Sequence, residues 1–476
     1  MALNDTNIDA NSVLVSQQTM IIDHKKSGGI FRMKQMRTAM ALGLALMLAI
    51  PGTGFATNGM FLIGYGAKSR AMGGVGIGYT QDSIGNQMNP AGITSVIGKD
   101  AMRVDAGAMF LYTPRSVQVP DNRPATAGEP ITYKSGSNFF AIPSMGGIYK
   151  FNRKVTMGFS FVGSGGGSTR YEKLAPNGFN FMNPVGRTDV SDTLGVNLMV
   201  AEMAMTAAYN INKRHTIAVS PVIGISTFRA YGLGVFKPFS SDPDKLTNNG
   251  NDWSYGAGLR LGWQGKLNDR LTLGAAYTTK IYMTEFRKYS GLFADSGSLD
   301  IPSRFGVGLA FDVTDDIVFA LDWQRTLYSD ISAIGNPIEN LSNVDGFLGL
   351  PNGAGFGWED QDIIKVGLKY SLNKEWDFMA GYNYGEGQIP SDQVLFSTLA
   401  PAVVKSHLTL GTTYKPSNHI ELSLAYVHAF YNKEKGLAES GGQFDLFYPN
   451  SDFSGPGNAA LEMVQNSLEI TFSYRM

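Results

Sequence analysis

Few groups in this chain could carry reaction chemistry. There is no cysteine, which removes thiolate metal sites, disulfides and thiol nucleophiles together. His215, His407, His419 and His428 occur without a His-Glu-x-x-His or paired-histidine spacing, so neither a metal centre nor a cofactor is expected. His428 among many serines is too unspecific a pattern for a Ser–His hydrolase, and no enzyme is expected. Gly92 to Asp100 has a glycine spacing one residue too long for a phosphate loop, with Asp100 where a hydroxyl should stand. Asp242 and Asp244 read as a solvated acidic loop. What remains is apolar. Tyr231, Leu233, Val235, Phe236 and Phe239 form one group, and Tyr289, Leu292 and Phe293 another, in segments that should be wet loops, the second following Phe286 at a strand end. Such residues make either a ligand groove or a cap that packs on itself.

The elements that must position these groups are strands. Leu468, Ile470, Phe472, Tyr474 and Met476 alternate with Ser467, Glu469, Thr471, Ser473 and Arg475, the period of a strand with two different faces. Ile364, Val366, Leu368 and Tyr370 alternate in the same way, as do Ile420, Leu422, Leu424 and Tyr426. Fourteen such segments are predicted between residues 101 and 475, one of them unbroken over 271–286. Short polar turns at Asn152, Asn212, Asn268, Thr314, Asn373 and Pro416 alternate with long Gly-, Pro- and Asn-rich connections. An even strand count with short turns on one side and long loops on the other is the pattern of a bacterial outer-membrane barrel. The expected fold is therefore all-β: a 14-stranded antiparallel transmembrane β-barrel over residues 100–476.

Composition agrees with this. Glycine is plentiful, 57 of 476 residues, against a norm of roughly 7 %. The mean hydropathy of −0.08 excludes a bundle of membrane-spanning helices. Basic and acidic residues number 39 and 40, leaving no field for nucleic acid.

Ahead of the barrel, residues 33–56 have a basic start, an apolar run from Ala39 to Ile50 and a small-residue exit ending at Ala56, the build of a cleaved signal peptide. Residues 1–32 lack periodicity and read as an extension upstream of a start at Met33. Residues 57–99 do not alternate. They are rich in glycine and read as a plug or a tail, with a short helix candidate around Asp82–Met88.

Three features of this segment carry a family resemblance: Asn58-Gly59, the run Gly64 to Gly74, and Asn89-Pro90-Ala91 placed shortly before the first strand. With the leader and the strand count, the chain resembles the FadL/TodX family of outer-membrane channels for hydrophobic compounds. The resemblance implies a monomer whose N-terminal hatch, with Asn89, Pro90 and Ala91 against the wall, fills the lumen. It implies passive uptake of long-chain fatty acids, alkanes or aromatic hydrocarbons past the lipopolysaccharide leaflet. Capture would occur in a groove between the third and fourth outer loops, at Leu233, Val235, Phe236, Phe239, Phe286, Leu292 and Phe293. Hatch movement and sideways exit through a kinked third strand would follow. Gly163, Gly165, Gly166 and Gly167 fit such a kink, although a loop start would look the same. By placement alone, Arg170, Lys280 and Arg325 are candidates to hold a carboxylate; should none point inward, a neutral hydrocarbon is the better ligand. Met476 replaces the terminal aromatic that the barrel-assembly machinery reads in the family. The alternative is a general diffusion porin for small polar solutes, which should lack a plug and carry opposed charges at a constriction.

Overall fold

The computed structural model describes residues 58–119, 131–172, 193–436 and 459–476; the leader and the extension before it lie outside them. Fourteen spanning strands are present among these residues. They are β1 (Met102–Tyr112), β2 (Phe139–Lys150), β3 (Val155–Ser168), β4 (Gly195–Asn210), β5 (His215–Tyr231), β6 (Asp252–Lys266) and β7 (Leu271–Thr278). The rest are β8 (Arg304–Asp312), β9 (Ile317–Thr326), β10 (Gln361–Ser371), β11 (Trp376–Gly385), β12 (Ser406–Tyr414), β13 (Ile420–Lys435) and β14 (Ala460–Arg475). Each pairs antiparallel with its neighbours, and β1 closes the ring on β14 from Arg103↔Arg475 to Tyr112↔Asn466. Closure leaves no free backbone edge to face lipid.

The alternation decides the faces. On β14, Leu468, Ile470 and Phe472 lie on the outer face, whereas Ser467, Glu469, Thr471 and Ser473 are buried inside. Aromatic side chains Tyr149, Tyr209, Trp263, Tyr370, Trp376, Tyr414 and Tyr474 stand at the short-turn end, as an interfacial girdle does. The short turns share one device. Asn152 Oδ1 accepts the N–H groups of Lys154 and Val155, and Asn212, Asn268 and Asn373 do the same two and three residues on. Thr314 Oγ1 plays this part for Asp316 and Ile317. These side chains complete the turn locally, which is why so short a connection reverses the chain.

Two elements differ from the sequence expectation. The strand predicted over 271–286 stops at Thr278 and resumes at Tyr282–Met283. Thr279 Oγ1 accepts the Leu259 N–H at 3.0 Å, and Pro302 on the facing segment has no N–H to donate, so the ladder is interrupted and Ile281 turns into the core. The first outer loop adds a small hairpin, Arg115–Val119 with Ile131–Lys134, whose first strand pairs with the upper end of β14.

Candidate functional site

Residues from Asn58 to Gly98 fold inside the barrel as short helical turns, among them Ala67–Ala71, Ile84–Gln87, Pro90–Gly92 and Ile93–Ile97. Wall glycines admit them. A Cβ on Gly262 would lie 2.4 Å from Asn89 Oδ1, and one on Gly274 2.0 Å from the Ile77 carbonyl oxygen. Gly146, Gly308, Gly367, Gly381 and Gly411 meet the hatch equally closely, so much of the glycine excess is the space a plug requires. Asn89 uses its whole amide. Its Oδ1 accepts the Ala91 N–H at 3.0 Å, and its Nδ2 donates to the Ile77 carbonyl at 2.8 Å and to the Trp263 carbonyl on β6 at 3.0 Å. Pro90 opens the helical turn where its missing N–H costs nothing.

Buried charges do the rest of the anchoring. Asp322 on β9 accepts the N–H groups of Gly76, Ile77 and Gly78 at 2.7, 2.8 and 3.1 Å. Asp105 on β1 takes the Ser83 N–H at 2.8 Å. Arg70 pairs with Glu469 at 3.1 Å, and Lys68 with Glu421. Glu202 on β4 bridges Arg260 on β6 and Arg304 on β8, at 2.7 and 2.6 Å. None of these carboxylates was singled out from the sequence; their inward position in the alternation was the available signal.

Above the hatch the outer loops close a cap. Leu233, Phe236, Phe286 and Phe293 are buried, and Val235, Phe239 and Leu292 pack against the same cluster. Phe228 centres it, with ring centroids 4.8 Å from Tyr289 and 4.6 Å from Phe293. Phe236 stacks edge-on against Phe396 at 5.1 Å. Loops three and four are tied by Ser240 Oγ donating to the Gly291 carbonyl at 2.7 Å and by Ser290 Oγ donating to Asp242 at 3.1 Å. Tyr289 donates to the Gly250 carbonyl at 2.6 Å, and burial pushes its phenol up, so it stays a neutral donor. Between a groove and a cap packed on itself, this conformation holds the latter.

The wall is parted at β3. Gly163, Gly165, Gly166 and Gly167 all lie within the strand, with a register shift against β4 between Gly163 and Gly165. Pairing with β2 ends at Ser144↔Val162. Beyond it the freed edge of β3 bonds the hatch instead. Gly166 N–H donates to the Met60 carbonyl at 2.9 Å, and Leu62 N–H to the Ser164 carbonyl at 3.2 Å. Phe61 sits there under the Arg304 guanidinium, 4.1 Å from the ring centroid, with Tyr328 on another side at 6.2 Å.

The three candidate cations are elsewhere and are not brought together. Arg170 is exposed and pairs with Glu172 at 2.6 Å. Lys280 donates to the Asp330 carbonyl at 3.3 Å. Arg325 pairs with Asp362 at 2.7 Å. The buried cations at the lumenal cavity are Arg304 and Lys365, beside Phe61, Leu62, Tyr65, Ile77 and Met88. That cavity holds about 30 Å³, room for a water or two, so the passage is shut here by the hatch.

The family model described as outer membrane protein transport protein (OMPP1/FadL/TodX) matches residues 51–469. The chain belongs to this family. It is an outer-membrane transport protein, not an enzyme. Similar solved structures include the toluene transporter TodX of Pseudomonas putida, with 18 % identity, a TM-score of 0.63 and coverage of 87 % of this chain and 99 % of that one. The Ralstonia pickettii toluene transporter TbuX matches at 16 % identity and a TM-score of 0.55, covering 87 % and 99 %. A Pseudomonas aeruginosa FadL homologue matches at 14 % and 0.58, again covering 87 % and 99 %. At these identities the likeness is one of fold. No curated protein sequence matches the chain.

In this FadL/TodX-family barrel the plug's hold on the wall is open to a direct test. Asp322→Ala leaves three buried N–H donors without their acceptor, at about 1–3 kcal/mol for each group left unsatisfied. Amide exchange at Gly76, Ile77 and Gly78 is expected to accelerate while β9 keeps its protection; unchanged exchange at all three would show that Asp322 does not hold the hatch.

Proposed function

We propose that this outer-membrane protein conducts small hydrophobic compounds passively, by capture in the loop cap, passage along the lumen and sideways release where β2 and β3 part. One observation carries the reading. A single buried apolar cluster extends from Phe236, Phe286 and Phe293 in the cap down to Met60 and Phe61 of the hatch, and those two residues stand at the parted wall. An apolar solute gains free energy by leaving water for such a path and again by entering the bilayer, so no ATP is needed. Movement of the leading hatch segment, residues 58–64, would open the route that Phe61 and Leu62 now fill.

Neutral hydrocarbons fit better than fatty acids, because Arg170, Lys280 and Arg325 are engaged outside the lumen. The solved neighbours named as toluene transporters favour the same class. Lys365 is the residue that would admit an acid: it donates to Gln324 Oε1 at 3.0 Å and forms no ion pair among the described residues.

The test is uptake of labelled toluene, octane and oleate by cells with and without the protein, paired with planar-bilayer recordings. Faster toluene or octane uptake without a large steady current is expected, and Lys365→Met should leave it unchanged. Large open-pore currents with no effect on hydrocarbon uptake would instead identify a porin for polar solutes. Oleate uptake that exceeds toluene uptake and is lost in Lys365→Met would reverse the substrate class.

A further inference from the structure

Proline is out of place in a strand with a neighbour on each side, since it removes a ladder donor. Pro143 nevertheless stands inside β2. Which neighbour it fails follows from the alternation of the backbone. At the foot of β2, Lys150 N–H donates to the Ala101 carbonyl on the β1 side at 2.9 Å, and Phe151 N–H to the Val155 carbonyl on the β3 side at 3.1 Å. In an antiparallel ladder these directions alternate residue by residue. Even-numbered residues of β2 therefore bond β1, and odd-numbered ones bond β3. At the top of the strand Asn138 keeps the rule: its carbonyl accepts the Thr113 N–H on the β1 side at 2.9 Å.

Position 143 thus points at β3, and its partner in the register would be Gly163. The ladder stops one pair earlier, at Ser144↔Val162. Pairing with β1 continues past the proline, through Ala108↔Pro143 to Tyr112↔Phe139. The wall is therefore broken on one side of β2 only, and it breaks at the residue that has no hydrogen to donate. Across the gap, the irregularity between Gly163 and Gly165 rotates the next peptides of β3, and Ser164 and Gly166 bond Leu62 and Met60 of the hatch.

We infer that Pro143 is a positioning residue for the lateral exit: by withholding the N–H that would bond Gly163, it stops the β2–β3 ladder and keeps the wall from zipping shut above Val162. The glycines let β3 turn away; the proline prevents β2 from following. This inference rests on the sideways release proposed above, and the experiment separates the two.

Pro143→Ala supplies the missing donor. In the purified full-length protein, the new amide at position 143 is expected to be protected from exchange like its neighbour at 145. Hydrocarbon uptake should fall about five-fold, the shift in an open–closed equilibrium that one recovered backbone hydrogen bond gives. Ala141→Pro is the control. Residue 141 also points at β3 but has no ladder partner there among the described residues, so uptake should be unchanged. Heat-modifiable migration on gels reports whether each barrel has folded. An exposed amide at 143 with normal uptake would overturn the role of Pro143 and leave sideways release standing. A protected amide with normal uptake would overturn both, because the wall would be sealed and transport indifferent to it. An equal loss in Ala141→Pro would also overturn the assignment, as it would show a general intolerance of change in upper β2.

Discussion

Glu202→Leu is expected to destabilise the barrel and to make it leak. The carboxylate is buried and pairs with two guanidiniums from different strands, Arg260 and Arg304, offsetting one of their two charges. Removing one partner of a buried pair typically costs about 3–5 kcal/mol, because a charge is left without compensation. Here two are left, and they repel. Arg260 retains Thr278 and Gln87 as acceptors, whereas Arg304 keeps, among the described residues, only a long hydrogen bond to the Tyr65 hydroxyl at 3.4 Å, so Arg304 is the group expected to move. It covers Phe61, and its displacement would free the leading hatch segment. The expected result is a lower urea midpoint for unfolding in detergent and a steady current in planar bilayers. That current should be carried mainly by anions, drawn by the two unpaired cations. Glu202→Gln, which keeps an acceptor oxygen, should show both effects more weakly. A Glu202→Leu protein with the parental midpoint and no current would mean that the triad does not hold the hatch.

The strands were legible because lipid and lumen impose opposite chemistries on alternate residues, and the turn-forming asparagines mark where each pair reverses. The hatch was legible through Asn89-Pro90-Ala91 and its glycines. Its partners on the wall were not, for Asp322, Glu202, Glu421 and Glu469 look like any inward polar residue until the fold brings residues 76–78, 68 and 70 against them. Placement by loop position misled for the cations. Arg325 neighbours the inward Gln324 and Thr326 on β9, so the alternation assigns it to the outer face, where it meets Asp362. The same rule assigns Lys365 inward, between Ile364 and Val366. Parity along the strand was the better guide. The break in β7 escaped because its cause, a threonine hydroxyl replacing a carbonyl partner, depends on the facing strand.

Phe236→Asp combined with Phe293→Asp is expected to open the cap while leaving the barrel folded. Both rings are buried, Phe293 against Phe228 and Phe286 with centroids at 4.6 and 6.0 Å, and Phe236 against Phe396. Truncating a buried phenylalanine costs about 3–5 kcal/mol, and a carboxylate in its place adds the desolvation of a charge with no partner nearby. The loops are also tied by hydrogen bonds, among them Ser240 to Gly291, Ser290 to Asp242, Tyr289 to Gly250 and the Gly291 N–H to the Lys245 carbonyl, but water competes for these once two charges enter the cluster, so the loops should loosen and hydrate. The wall is held separately, by ladders below the cap that neither residue joins. Protease should then cut between residues 232 and 251 and between 284 and 303 faster than in the parental protein, while heat-modifiable migration of the barrel persists. Hydrocarbon uptake should fall at least ten-fold, because the apolar path loses its mouth. Phe236→Leu with Phe293→Leu, which keeps the site apolar, should retain most uptake. Full cleavage of both loops with undiminished uptake would separate the cap from capture and place the entrance elsewhere in the barrel.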